Sequence, residues 1–225
     1  MTAKHSTVCG NGAIWRVLCV IMFVLVIAGM PPAWAETVRI VVLGDSLVAG
    51  YGIRKEEAFP AELERQLAKH FSGIEVINLG VSGMRTAGGL RKVDEALKHR
   101  PSIVILELGI NDILRGGDPR EIYKNLDTII HKFQERNVTV VLAAMRAPPR
   151  VPETRRRQFD GLYPALAQRR GVALSPFFLH GVALNPAFNL ADGVHPNPQG
   201  VKIMVRNFLD TILGVLQQGV PRPRW

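Results

Sequence analysis

The chain of 225 residues has only two cysteines, Cys9 and Cys19, both among its first twenty residues. Past Cys19 there is no thiol, which excludes disulfide bonds and a cysteine nucleophile from the rest of the protein. The apolar run 17–29 falls short of the roughly 20 residues that a membrane-spanning helix needs. Other chemistries lack their parts. The glycine-bearing stretch 44–52 has no Lys-Ser/Thr ending and so no phosphate-binding loop, and Gly80-Val81-Ser82-Gly83 meets Met84 where a nucleophile elbow requires another glycine. No interleaving of aromatic and basic residues suggests nucleic acid as a partner. No further ligands can be gathered around Asp192 and His195 to hold a metal. Internal repeats and long linkers are absent as well.

What is present begins with Lys4 and Arg16 ahead of the apolar run, which ends near Ala33-Trp34-Ala35. This pattern reads as a signal peptide over 1–35 with cleavage after Ala35, an uncleaved anchor being the alternative. Export to the periplasm follows, with full secretion as its variant. The remainder, 36–225, has the size of a single domain with a core of its own. Lys4 and Arg16 leave with the leader and no acidic residue does, so the net charge drops from +9 to +7. Arg155-Arg156-Arg157 and Arg169-Arg170 carry much of the excess. They read first as a solvated helix face, and otherwise as a means of transient contact with anionic lipid or cell-wall polymers.

From Val38 onward, apolar runs alternate with amphipathic segments, the pattern of a parallel sheet covered by helices on both faces. Strands are expected at 38–43, 74–78, 103–108, 138–144 and, weakly, 172–174. Asp118-Pro119 and Asn197-Pro198 are helix starts, and Pro60 suits the first turn of a helix reaching about Phe71. Gly88-Gly89 weakens the start of the helix between the second and third strands, and the tail 221–225 is expected to fray. Right-handed crossovers favour an α/β doubly wound fold, a five-stranded parallel sheet in the order 2-1-3-4-5. In that order the loops carrying Ser46, Ser82-Gly83, Gly109 to Asp112 and Asp192 to His195 open on one edge of the sheet.

Those loops hold the parts of a serine hydrolase. A serine hydroxyl needs a base to take its proton, and His195 can serve if Asp192, three residues earlier, fixes one ring nitrogen as a donor. The negative charge that develops on a carbonyl oxygen could be met by the N–H groups of Ser46 and Gly83 and by the side-chain amide of Asn111. Taken singly, Ser46 also reads as a helix cap, Asn111-Asp112 as a turn and His195-Pro196 as a loop end.

Taken together, GDSLVAGYG, NLGVSGMRT, ELGIND and DGVHPN stand in the order of the blocks of the SGNH hydrolases of the GDSL group, which the chain resembles over nearly its whole length past the leader. Within that group it is similar to the periplasmic multifunctional thioesterase, protease and lysophospholipase type. The resemblance implies a flavodoxin-like three-layer α/β/α sandwich, Ser46 as nucleophile, Asp192 and His195 as its partners, and Ser46, Gly83 and Asn111 as the oxyanion hole. It implies no cofactor and no metal. The expected substrates are aryl esters, short to medium acyl esters and thioesters, and lysophospholipids, taken by a monomer. A carbohydrate O-deacetylase and a silent lipid- or glycan-binding protein are the alternatives. Ile110 and Ala147 depart from the pattern, standing where relatives carry a glycine and a bulkier apolar residue. Ile110, Ile113, Leu114, Phe188 and Leu190 are candidates to line an acyl groove.

Overall fold

A strand covered on both faces has no solvent side to make polar, so its side chains are apolar in succession rather than in alternation. β1 (Val38–Gly44) is buried from Ile40 onward, and β3 (Ile103–Glu107) is buried at every position. β2 (Ile74–Asn78), β4 (Thr139–Ala144) and β5 (Ala173–Phe177) complete one parallel sheet in the order β2-β1-β3-β4-β5. This computed structural model describes residues 37–225, and Thr37–Trp225 forms one compact unit. The leader read at 1–35, with Cys9 and Cys19, lies outside the described residues. Among the described residues no helix is long and apolar enough to cross a membrane.

Among the described residues seven α-helices follow the strands: α1 (Ser46–Ala49), α2 (Phe59–Leu67), α3 (Thr86–Lys98), α4 (Ile110–Leu114), α5 (Pro119–Gln134), α6 (Glu153–Arg170) and α7 (Pro198–Gln217). α2 packs with α7, while α3, α5 and α6 pack in series. With both faces of β1 and β3 buried, these two groups form the outer layers of the sandwich. The expected helix starts hold for stated reasons. The Asp118 carboxylate accepts the Arg120 N–H at 2.9 Å, and the Asn197 side-chain oxygen accepts the N–H groups of Gln199 and Gly200 at 3.0 Å each. The glycines at the start of α3 have a packing cause, since a Cβ on Gly89 would meet Leu108 Cδ1 at 2.2 Å.

Two boundaries and the tail differ from the sequence reading. α2 ends at Leu67 rather than near Phe71, the chain passing through turns into Gly73, which has φ +75°. β5 runs to Phe177 because Pro176 lies on an edge strand, where its missing N–H leaves no neighbour unpaired. There the Ser175 hydroxyl accepts the Ala144 N–H at 3.2 Å, across the register shift between β4 and β5. The tail has no regular structure, yet it is not free: the Arg224 N–H donates to the Arg136 carbonyl at 2.7 Å.

Candidate active site

Every strand of a parallel sheet points its carboxyl end the same way, so the loops after β1, β2 and β3 emerge side by side. The β1 loop is the shortest. Asp45, not Ser46, caps α1, accepting the Leu47 N–H at 3.0 Å. Ser46 therefore begins the helix with its hydroxyl unused for capping. The loop after β2 closes onto the same turn: the Val81 N–H donates to the Gly44 carbonyl at 3.0 Å, and the Asn78 amide donates to the Val48 carbonyl at 3.1 Å. From β3, the Asn111 amide donates to the second Asp45 carboxylate oxygen at 2.7 Å. Asp112 holds that loop in turn, accepting the N–H of Thr86 at 2.9 Å and its hydroxyl at 2.8 Å.

Asp192 and His195 arrive on a self-bonded loop ahead of α7. The Leu190 N–H donates to the His195 carbonyl at 2.7 Å, and the buried Asn189 amide donates to the carbonyls of Val182 and Asn185. One Asp192 oxygen accepts the N–H groups of Val194 (2.8 Å) and His195 (3.0 Å), while the other lies 2.7 Å from His195 Nδ1. His195 Nε2 lies 3.0 Å from Ser46 Oγ. The hydrogen bonds from the His195 N–H, its imidazole and the Val194 N–H hold the Asp192 carboxyl down at about 2. Ionised Asp192 accepts only, so Nδ1 carries the ring proton and Nε2 is left to accept from the serine hydroxyl. Tyr51, which has no assigned part in the sequence reading, stacks on His195 with ring centroids 4.4 Å apart.

All five sequence-predicted residues thus lie on one edge of the sheet, three of them in one hydrogen-bonded chain. Among the described residues no protein acceptor takes the N–H of Ser46 or of Gly83, and Asn111 spends one amide hydrogen on Asp45. Gly83 has φ +76°, and a Cβ there would meet the Arg115 guanidinium at 3.1 Å. The positive φ calls for glycine, whereas the Arg115 tip could move aside.

Beside the triad opens a cavity of about 280 Å³, lined by Ile110, Leu114, Ala147, Phe177, Leu184 and Val194 among others. Of the expected groove residues, Ile110 and Leu114 take part. Ile113 is buried in the core, and Phe188 packs against the core; neither it nor Leu190 lines the cavity. The expected groove residues omit the lining that follows β4 and β5, where Met145 and Ala147 directly after a strand end were the available signal; Ala147 entered the sequence reading only as a departure from the family pattern. Ile110 needs no glycine's freedom, because the positive φ (+121°) falls one residue earlier, on Gly109.

Below the serine turn lie two buried carboxyls. Glu107 is pushed well above its ordinary value, first by burial and then by the Asp45 charge, and burial also raises Asp45 despite its hydrogen bonds. Of the pair, Glu107 carries the proton. Among the described residues, no group of three or more His, Cys, Asp or Glu side chains is placed to hold a metal ion.

An acid, an imidazole and a serine hydroxyl stand in series at the carboxyl edge of a doubly wound sheet, and the fold with this edge defines an α/β hydrolase. The chain belongs to the GDSL-like lipase/acylhydrolase family, which matches residues 42–203. It is 38% identical over 162 residues to an arylesterase of Vibrio mimicus, across 72% of this chain and 81% of that one. It is 36% identical over 174 residues to thioesterase 1/protease 1/lysophospholipase L1 of Escherichia coli strain K12, across 77% and 81%. Among solved structures, the SGNH-hydrolase family esterase AlinE4 matches with a TM-score of 0.68 at 41% identity, across 82% of this chain and 99% of that one. The protein is a carboxylic ester hydrolase.

Proposed function

We propose that the protein is an exported esterase that cleaves acyl esters and thioesters through an acyl-Ser46 intermediate. The hydrogen-bonded run from Asp192 through His195 to Ser46, at 2.7 and 3.0 Å, carries this reading. Ser46 Oγ attacks the carbonyl carbon as His195 Nε2 takes its proton, and Asp192 stabilises the imidazolium that forms. The N–H groups of Ser46 and Gly83 and the free amide hydrogen of Asn111 receive the oxyanion, a missing donor costing about 3 kcal/mol. His195 then returns the proton to the departing alkoxide or thiolate, and activates the water that releases the acid from Ser46.

The cavity beside the triad supports acyl chains of short to medium length. Its volume of about 280 Å³ is just under the roughly 300 Å³ at which small-molecule sites begin, and its lining is largely apolar. Aryl esters, acyl thioesters and lysophospholipids fit that lining, in line with the names of the relatives. Export is supported by Lys4 and Arg16 ahead of the apolar run and by the Ala33-Trp34-Ala35 ending.

The test is a set of initial rates for the protein and its Ser46→Ala variant on p-nitrophenyl acetate, butyrate, octanoate and palmitate, with an acyl thioester alongside. Turnover that depends on Ser46 and rises toward octanoate is expected. Turnover confined to acetate would favour a deacetylase, and activity retained by Ser46→Ala would remove the nucleophile.

A further inference from the structure

Adjacent parallel strands place Glu107, the last residue of β3, beside Gly44, the last of β1. Glu107 is fully buried, and its side chain lies under the turn that presents Ser46. Its Oε2 accepts the Asp45 N–H at 3.1 Å. Asp45 is buried on the same turn, and its charge is among the causes that raise Glu107. Glu107 Oε1 is the one buried side-chain oxygen or nitrogen without a partner among the described residues. Gly44 makes room for this arrangement, since a Cβ there would stand 2.7 Å from Glu107 Oε2.

The place of the proton follows from donors and acceptors. Neither carboxyl joins an ion pair among the described residues. Asp45 already accepts an N–H on each oxygen, from Leu47 and from Asn111, so it acts as the carboxylate. Two neighbouring carboxyls in an interior do not both ionise. The other titratable groups near the pair are His195, which acts on Asp45, and Tyr163, with Asp112 and Asp160 beside Tyr163. Of these, Tyr163 is already donating to the Leu108 carbonyl at 2.9 Å, and Asp112 is taken up by Thr86. Glu107 is therefore the neutral acid of the pair, and Oε1, which has no other partner, is the oxygen left to carry its hydrogen.

We propose that Glu107 is a positioning residue for ester hydrolysis: as the neutral acid it donates Oε1–H to Asp45, and Asp45, so fixed, holds Asn111 with its second amide hydrogen toward the substrate carbonyl. The arrangement aligns an oxyanion donor without placing a second negative charge where the oxyanion forms. It rests on the role given to Asn111 above.

The test is kcat and KM on p-nitrophenyl butyrate for Glu107→Gln and Glu107→Met in the full chain, each alone and combined with Asn111→Ala, with folding followed by circular dichroism. Gln keeps a neutral donor beside Asp45 and an acceptor for its N–H, so kcat stays within about threefold. Met keeps the bulk without the hydrogen bonds, so kcat falls ten- to a hundredfold with KM within about twofold. In the Asn111→Ala background the same Met substitution costs less than about threefold, because the group it acts through is gone. A full Met loss repeated in that background overturns the proposal, as does a Gln variant as slow as Met. If Glu107→Met does not fold, Glu107→Asp, which withdraws the acid by one methylene, takes its place with the same two outcomes. An Asn111→Ala enzyme with unchanged kcat would instead overturn the oxyanion role of Asn111, a failure separate from that of Glu107.

Discussion

Gly109→Ala tests how the core of the sheet sets the loop that carries Asn111. Gly109 has φ +121°, outside even the left-handed helical region, and an alanine held there costs about 1–3 kcal/mol in backbone strain. The new Cβ would also lie 2.6 Å from the Tyr163 hydroxyl and 3.3 Å from Ile122 Cγ2. Tyr163 cannot step aside easily, being fully buried with its ring edge-on to Phe159 at 5.4 Å. Moving it breaks the 2.9 Å bond to the Leu108 carbonyl and leaves a buried polar group unpaired, at a further cost of about 1–3 kcal/mol. The expected loss is about 2–6 kcal/mol, a large share of a typical domain's stability. Urea denaturation of Gly109→Ala, Tyr163→Phe and the double variant measures it. Tyr163→Phe alone should cost about 1–2 kcal/mol, and the double variant less than the sum, because the hydroxyl that obstructs the methyl is absent. A Gly109→Ala loss below about 1 kcal/mol, or strict additivity, would refute this account.

Asp192→Asn replaces an acceptor-only carboxylate with an amide that can present a donor to His195 Nδ1, so kcat on p-nitrophenyl butyrate should fall by about three orders of magnitude at neutral pH; a loss under tenfold would count against the triad. Because its folded-state value of about 2 lies below its ordinary 3.8, Asp192 stabilises the fold fully above pH 3.8 and loses that contribution as pH falls toward 2. With its side chain 38% exposed the effect is small, and the melting-temperature gap between wild type and Asp192→Asn should close over that interval. Glu107 has the opposite sign: the folded chain keeps a proton that the unfolded chain releases above its ordinary value of 4.5, so stability falls as pH rises from there toward the raised folded value, by about 1.4 kcal/mol per pH unit for one proton. Glu107→Gln has no such proton, so its melting temperature should gain on wild type from pH 5 to pH 8, and a constant difference would show that Glu107 ionises normally. Ala147→Leu fills part of the cavity and should lower the ratio of octanoate to acetate turnover at least fivefold, each excluded methylene being worth about 0.8 kcal/mol; an unchanged ratio would place the acyl chain elsewhere.

The sheet was legible because burial on both faces leaves a mark that needs no partner to be read: Ile40 to Leu43 and Ile103 to Leu106 are apolar in succession. β5 was only half legible, since an edge strand tolerates Ser175-Pro176, which a central strand would not. The arginine runs show the limit of reading a helix by composition. Arg157 is solvent-facing beside Glu153, as a solvated face requires. Arg155 instead reaches the Gly117 carbonyl, and Arg170 forms a two-pronged pair with Asp127. Their partners lie 38 and 43 residues away, so helical spacing carries no trace of them.

The same distinction separates the parts of the site that were legible from those that were not. Ser46, Gly83, Asn111, Asp192 and His195 are legible from residue type and local blocks; Tyr51 and Glu107 stand inside two of those blocks, yet their parts depend on neighbours that only the register of strands and the closure of loops supply. Glu107 nonetheless left a usable signal, because a lone carboxyl ending a fully buried strand must be paired, neutralised or put to use. Register then decides which. It sets Glu107 beside Gly44, and the turn that follows carries Asp45 to Asn111 on one side, while the Gly44 carbonyl holds the Val81 N–H on the other. The loops from β2 and β3 are thus both anchored to the two residues before Ser46, which makes that turn the common reference for the oxyanion donors. The histidine loop has no such anchor in β1. It holds its own shape through Asn189 and Leu190, and among the described residues its hydrogen bond to the serine turn is the one between His195 and Ser46, reinforced by the Tyr51 ring. The base and the oxyanion donors are therefore positioned by separate sets of contacts, and substitutions in one set should leave the geometry of the other largely intact.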